Sequence, residues 1–238
     1  MRTLCLLLAV SSSLFADEQP WTELFANDKL DAFTGKQDAW AFAKSISLDP
    51  ANPKKLKFVP GSGILINGEK GTAADLYSKE KFGDHEVHLE FCIAKGSNSG
   101  LKFHGHYEIQ ITDSHGKKKL TGDDCGGIYP RAEFKPKYRY LDDGIAPKEN
   151  AAKPAGEWQT LDVIFLAPRF DKDGKKIVNA KLVKATLNRE VIHSDQELQS
   201  PTGHNHTRPE RATGPLMLQG DHGPVAFRNF KVRGYSAK

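Results

Sequence analysis

Branched and aromatic residues recur at every second position in short runs, and each run is cut off by Gly, Pro, Asn or Asp. Val87, Leu89, Phe91 and Ile93 alternate with Glu86, His88, Glu90 and Cys92. From Leu101 onward, Leu101, Phe103, Gly105, Tyr107, Ile109 and Ile111 fall on one parity, and His104, His106, Glu108, Gln110 and Thr112 on the other. A period of two marks strands with one buried face, because successive side chains point to opposite sides. The same reading predicts strands over residues 63–66, 75–78, 85–93, 100–112, 127–129, 158–167, 180–187, 190–193, 216–219 and 225–232, with hairpin turns at 171–174 and 187–190. A short helical patch is expected only over residues 40–45, with Pro50 and Pro53 barring its extension. The class is therefore all-β, two antiparallel sheets packed as a sandwich.

Length suits that architecture. A sandwich of 238 residues can bury one sizeable core, and 13 Phe, 6 Tyr and 3 Trp spread along the chain exclude disorder. Lys and Arg total 34 against 30 Asp and Glu, so there is no basic footprint for nucleic acid. Met1 and Arg2, the apolar run 4–10 and the stretch Ser11 to Ala16 read as a secretory signal peptide, too short for a membrane span. Residues 17–238 are then one exported domain, periplasmic or secreted, with no membrane anchor. Cys92 and Cys125 are its two thiols. Export permits a disulfide between them, but sequence leaves their separation open.

The polar parity beginning at His104 offers protonatable and acceptor groups, whereas a plain solvated face is usually richer in Lys, Thr and Ser. It is the candidate site face, and a solvated outer face is the bland alternative. Two pairs, His104 with His106 and His204 with His206, have the i, i+2 spacing that lets two imidazoles share a metal on a strand face. The second pair lies in a Gly- and Pro-bounded loop and reads as surface histidines. Asp171 and Asp173 lack the further ligands of a calcium loop and read as a turn. Segment 130–154 is either a lid over a cleft or an edge cover.

Ordered motifs extend along most of the chain: Asp75 to Asp84, Glu90 with Phe91, Asn98 to Leu101, Gly105 to Ser114, Gly126 to Tyr129, Pro154 to Trp158, Ala167 to Asp171, Leu218 to Gly223, and Phe227 to Asn229. Together they resemble the exported 3-keto-disaccharide hydrolase domain family. One departure is His106, where that family often carries Arg. The resemblance implies a jelly-roll sandwich of the concanavalin A-like lectin and glucanase type, with a concave sugar-binding face. It implies cleavage of glycosides whose sugar is a ketone at carbon 3, with a small sugar or oligosaccharide as partner.

Such a ketone acidifies the proton on carbon 2. A base can remove it, the aglycone then leaves carbon 1, and water can add to the enone. The reaction needs a base, an acid and a group for the enolate. Glu108, Asp113 and His222 are the candidate catalytic residues, with His106 also able to move a proton. His104, His106, Gln110, Tyr129, Trp158, Gln219 and Arg228 are the candidate substrate-binding residues. Arg228 or a divalent metal would stabilise the enolate oxygen. A retaining glycosidase is the rival mechanism, since Glu108 and Asp113 resemble the spacing of laminarinase-type carboxylates. The alternative from another class is a lectin-like, non-catalytic carbohydrate-binding module.

Overall fold

Alternating burial is what the backbone follows. In the computed structural model, which describes residues 19–236, the chain forms seventeen strands. The first eight are β1 (Thr22–Glu23), β2 (Phe33–Thr34), β3 (Ala41–Asp49), β4 (Asn52–Ile66), β5 (Leu76–Ser78), β6 (His85–Ile93), β7 (Asn98–Phe103) and β8 (Tyr107–Thr112). Five follow: β9 (Ala132–Glu133), β10 (Arg139–Tyr140), β11 (Gln159–Leu166), β12 (Arg169–Phe170) and β13 (Lys176–Val178). The last four are β14 (Ala180–Leu187), β15 (Glu190–Leu198), β16 (Met217–Leu218) and β17 (Val225–Gly234). The expected signal peptide, residues 1–16, lies outside the described residues. Among the described residues no helix is long and apolar enough to cross a membrane.

The large sheet has the order β15-β14-β11-β6-β17-β4-β3, with β1 on β17, and the smaller one β2-β5-β16-β7-β8. All their pairings are antiparallel. The fold is a two-sheet jelly-roll sandwich. Val87, Leu89, Phe91 and Ile93 of β6 and Leu161, Val163 and Phe165 of β11 face Leu101, Phe103, Tyr107, Ile109 and Ile111 of the smaller sheet in one core. Phe165 lies at its centre, with ring centroids 5.0 Å from Phe103, 5.0 Å from His104 and 5.6 Å from Tyr107.

Three expectations need correction. The strand expected over residues 127–129 does not form, and Ile128 makes only isolated bridges to Ile109 and Ile145. Residues 40–45 are not helical: Ala41–Asp49 is β3, hydrogen-bonded along the long β4, and that pairing overrides the weak local helix signal. Residues 100–112 are not one strand but parts of two, β7 and β8, joined by a tight turn. His104 (φ 54°) and Gly105 (φ 69°) both take positive φ, as a type I′ hairpin turn demands, and the His106 N–H donates to the Phe103 carbonyl (3.0 Å). Phe103 pairs with Tyr107, so the parity of the core residues survives the turn while His104 and His106 leave the strand face. The cysteines are free and buried in different clusters, Cys125 between the sheets and Cys92 on the outer side of the large sheet. Burial pushes both thiols up to about 12.

Both expected hairpin turns are present. Asn188 and Arg189 take positive φ between β14 and β15, and the Gly174 N–H donates to the Asp171 carbonyl (3.1 Å) between β12 and β13. Phe165→Ala removes the ring that Phe103, His104 and Tyr107 share, and should lower the unfolding free energy by about 3–5 kcal/mol. Urea denaturation checks this; a loss under about 1 kcal/mol would contradict a central role for the ring.

Candidate active site

Leu76, Leu218, Leu101 and Ile109 point into the core from the smaller sheet. Their neighbours must therefore point the other way, and pairing aligns Tyr77, Met217, Lys102 and Glu108 in one row across the open face. The row ends in a buried ion pair. Lys102 Nζ lies 3.0 Å from Glu108 Oε2, with 10% and 3% of the two side chains exposed. Gly100 makes room for it: a Cβ there would meet Glu108 Oε1 at 2.2 Å. The glycine lets the carboxylate lean along the sheet toward β16, and any larger residue would displace it.

A cleft of about 450 Å³ opens above this pair. Asp75, Asn98, Gln219, Asp221 and His222 line it beside Lys102 and Glu108, and Tyr129, Phe134, Tyr138 and His204 form the rim. The Glu108 carbonyl accepts from the Tyr129 N–H (3.1 Å), which ties the rim to the floor. Segment 130–154 includes the β9–β10 hairpin, which brings Phe134 and Tyr138 over the cleft, so this part acts as a rim. The Tyr129 hydroxyl lies 3.0 Å from that of Tyr138 and 3.1 Å from that of Tyr140. Opposite the rim, buried Asn67 holds the loop carrying Asp221 and His222. Its amide donates to the carbonyls of Gly220 (2.9 Å) and Gly223 (2.7 Å) and accepts from the Val225 N–H (3.0 Å).

The electrostatics follow from burial. Loss of water raises the Glu108 carboxyl above its usual range, against the opposing pull of the Lys102 ammonium. For Lys102, burial acts to lower the value, but the charge and hydrogen bond of Glu108 prevail and keep it raised, hence charged. Desolvation also raises Asp75, although its carboxylate accepts from the Gly220 N–H (3.0 Å). His222 is exposed, and its Nδ1 donates to Asp221 Oδ1. The cleft therefore joins a buried carboxylate, a fixed ammonium and a carboxylate-oriented imidazole, the parts that proton transfer beside a carbonyl requires.

Of the residues expected from sequence, Glu108, Tyr129, Gln219 and His222 meet in the cleft. Gln110 is buried on the same face and donates to Asn98 Oδ1 (3.3 Å) behind the lining. Asp113 does not belong: it lies past the end of β8 and accepts from the Gly96 N–H (2.9 Å) as a turn former. Trp158 and Arg228 do not belong either. Arg228 follows core-facing Phe227, so it projects from the outer side of the large sheet, where its guanidinium lies 4.0 Å from the Trp158 ring and pairs with Glu90. His104 and His106 line a separate pocket at the hairpin turn, and the structure does not put them on the Glu108 face. Among the described residues no group of three or more His, Cys, Asp or Glu is placed to hold a metal ion.

Several cleft residues escape the sequence reading. Lys102 shares the parity of Glu108, so strand phase alone could have found it. Asp75 and Asp221 sit in the ordered motifs, whereas Phe134, Tyr138 and His204 come from loops with no periodic signal.

A profile described as the 3-keto-alpha-glucoside-1,2-lyase-like domain matches residues 20–233, nearly the whole chain. The chain belongs to that family. No curated protein sequence matches it. Three solved structures from Parabacteroides distasonis ATCC 8503, each described as a 'putative glycosyl hydrolase', share the fold. One has 24% identity and a TM-score of 0.62, covering 90% of this chain and 84% of that one. The second has 19% identity and a TM-score of 0.59, covering 91% and 100%. The third has 16% identity and a TM-score of 0.51, covering 91% and 94%.

Lys102→Met leaves Glu108 buried without its cation, a change that typically costs about 3–5 kcal/mol. The sign of its pH dependence follows from the raised carboxyl. A folded-state value above the unfolded 4.5 means the folded form holds the proton more tightly. Stability is then kept below the unfolded value and lost as pH rises through the folded one. Denaturation near pH 4 and pH 7 should show the larger deficit at pH 7. Equal deficits would contradict an ionised Glu108 paired with Lys102.

Proposed function

We propose that this protein is an exported carbohydrate-active enzyme that breaks the glycosidic bond of 3-keto-glycosides by elimination. The observation that carries the reading is the buried Lys102–Glu108 pair on the floor of an aromatic-rimmed cleft. Membership of the 3-keto-alpha-glucoside-1,2-lyase-like domain family supports the substrate class. Export rests on the basic start, the apolar run and the serine-led stretch that closes at Ala16.

In this reading the Glu108 carboxylate takes the proton from carbon 2. The released electron pair is held as an enolate on the ketone, whose oxygen the Lys102 ammonium faces. When the pair moves to form the carbon 1–carbon 2 double bond, the aglycone oxygen leaves carbon 1. The His222 imidazole, held by Asp221, gives that oxygen its proton. Water adding across the double bond completes a net hydrolysis. The Gln219 carbonyl oxygen is buried and makes no hydrogen bond within the protein, which suits a sugar hydroxyl. Tyr138 and Phe134 offer ring faces at the cleft mouth.

The rivals fit less well. The retaining glycosidase suggested by the Glu108–Asp113 spacing loses its second carboxylate, because Asp113 accepts from the Gly96 N–H past the end of β8 and does not line the cleft. A binding-only module calls for aromatic platforms and few titratable groups, yet this cleft holds Asp75, Glu108, Asp221 and His222.

The test is incubation with a 3-keto-glucoside and with its non-oxidised parent, each with and without chelator. Cleavage of the keto-sugar alone is expected, and Glu108→Gln should slow it by about 10²–10⁴-fold while leaving the fold intact. Full activity in Glu108→Gln, or equal cleavage of the parent, would overturn the assignment. Activity lost to chelator would move enolate stabilisation from Lys102 to a divalent metal.

A further inference from the structure

Beyond the cleft, the β7–β8 turn forms the wall of a second pocket of about 260 Å³. Its lining includes Lys81, Arg208, Arg211, His104, His106 and Tyr77, and no carboxylate. None of the three permanent cations makes an ion pair or a side-chain hydrogen bond among the described residues. The acid closest in sequence, Glu210, is already committed: Lys176 Nζ lies 2.6 Å from its Oε2, and the Tyr107 hydroxyl bonds its Oε1. Those two contacts also anchor the loop that presents Arg208 and Arg211. His104 is 3% exposed, and His106 Nδ1 is buried with no hydrogen-bond partner among the described residues.

The pocket is placed to serve the cleft. His104 and His106 stand two residues beyond Lys102 and Glu108 in the hairpin, about 7 Å along the strand direction. Tyr77 stands in the same cross-sheet row as Lys102 and lines the second pocket. The loop that supplies His204 to the cleft rim continues directly into Arg208 and Arg211. A sugar held over Lys102 and Glu108 would thus extend its neighbouring unit toward uncompensated positive charge. Converging cations without a partner carboxylate favour an oxyanion, and arginine forks suit planar or tetrahedral acceptors.

We propose that this pocket is a second subsite, and that it binds an anionic substituent, a carboxylate or a sulfate ester, on the unit attached to the sugar in the cleft. The natural substrate is then an acidic glycoside. This specificity rests on the cleft's proposed activity, but the charge preference can be measured separately from turnover.

The test is calorimetric titration of the full protein with three related disaccharides. One is neutral, one carries a carboxylate on its second sugar, and one carries a sulfate ester there. An acidic ligand should bind at least about tenfold tighter than the neutral one, with the advantage shrinking in high salt. Arg208→Gln with Arg211→Gln, at two exposed positions, should bring that ratio close to one. A carboxylate-only or sulfate-only advantage identifies the source of the anion. Equal affinities, no binding of any ligand, or a ratio that survives the double variant would overturn the proposal. Turnover of a neutral 3-keto-glucoside separates the two readings. Cleavage without an acidic preference removes this subsite and keeps the cleft, and a preference without cleavage does the reverse.

Discussion

Lys102 and Glu108 are cross-strand partners whose ammonium and carboxyl groups meet at 3.0 Å in a place where charge is expensive. Taking two ions out of water costs more than a well-packed apolar pair of the same volume, so such a pair is poorly explained by stability alone. Much of the smaller sheet is arranged around it. Gly100 is bare so that the carboxylate can lie down, Thr202 accepts from the Glu108 N–H through its hydroxyl (3.1 Å), and the Glu108 carbonyl positions Tyr129. The register of β16 on β7 sets Met217 against Lys102, and that brings Gln219 and the Asn67-held loop to the edge of the same cleft.

The large sheet supplies the rigid support. Its inner face packs Phe91, Phe165, Phe227 and Phe230 against the smaller sheet, and these four are fully buried. Its outer face is laced with ion pairs instead: Glu86 with Arg233, Glu90 with Arg228, and His88 with Asp162. The Asp162 hydrogen bond raises His88, outweighing the effect of burial. Partly exposed pairs of this kind contribute little each, and they make a solvated exterior. The sandwich thus separates its polar groups, with exposed pairs on the large sheet and a buried pair under a cleft on the small one.

Strand phase was legible because period two survives even where a turn is overlooked. Phe103 and Tyr107 pair directly across a three-residue connection, so Leu101 and Ile109 keep their core parity although the chain reverses between them. His104 and His106 fall in that turn, whose left-handed and turn positions no alternation pattern reveals. Arg228 and Trp158 suit a sugar by residue type alone, and only the side of the sheet they occupy shows that they stack on each other away from the cleft. Asp75, Asp221 and the rim aromatics are joined to Glu108 by long-range pairing and loop closure, which no local window contains. The segment at 40–45 shows the opposite failure, a weak local preference overruled by a long partner strand.

An elimination and a displacement at carbon 1 differ in the fate of one hydrogen. In the elimination the carbon 2 proton leaves for Glu108, and any hydrated product regains a proton at carbon 2 from solvent. Cleavage of a 3-keto-glycoside in heavy water, followed by nuclear magnetic resonance of the sugar product, reads that hydrogen directly. Deuterium at carbon 2 of the hydrated product, or an enone with no hydrogen there, is the predicted result. Cleavage that keeps the original carbon 2 proton would contradict proton abstraction by Glu108.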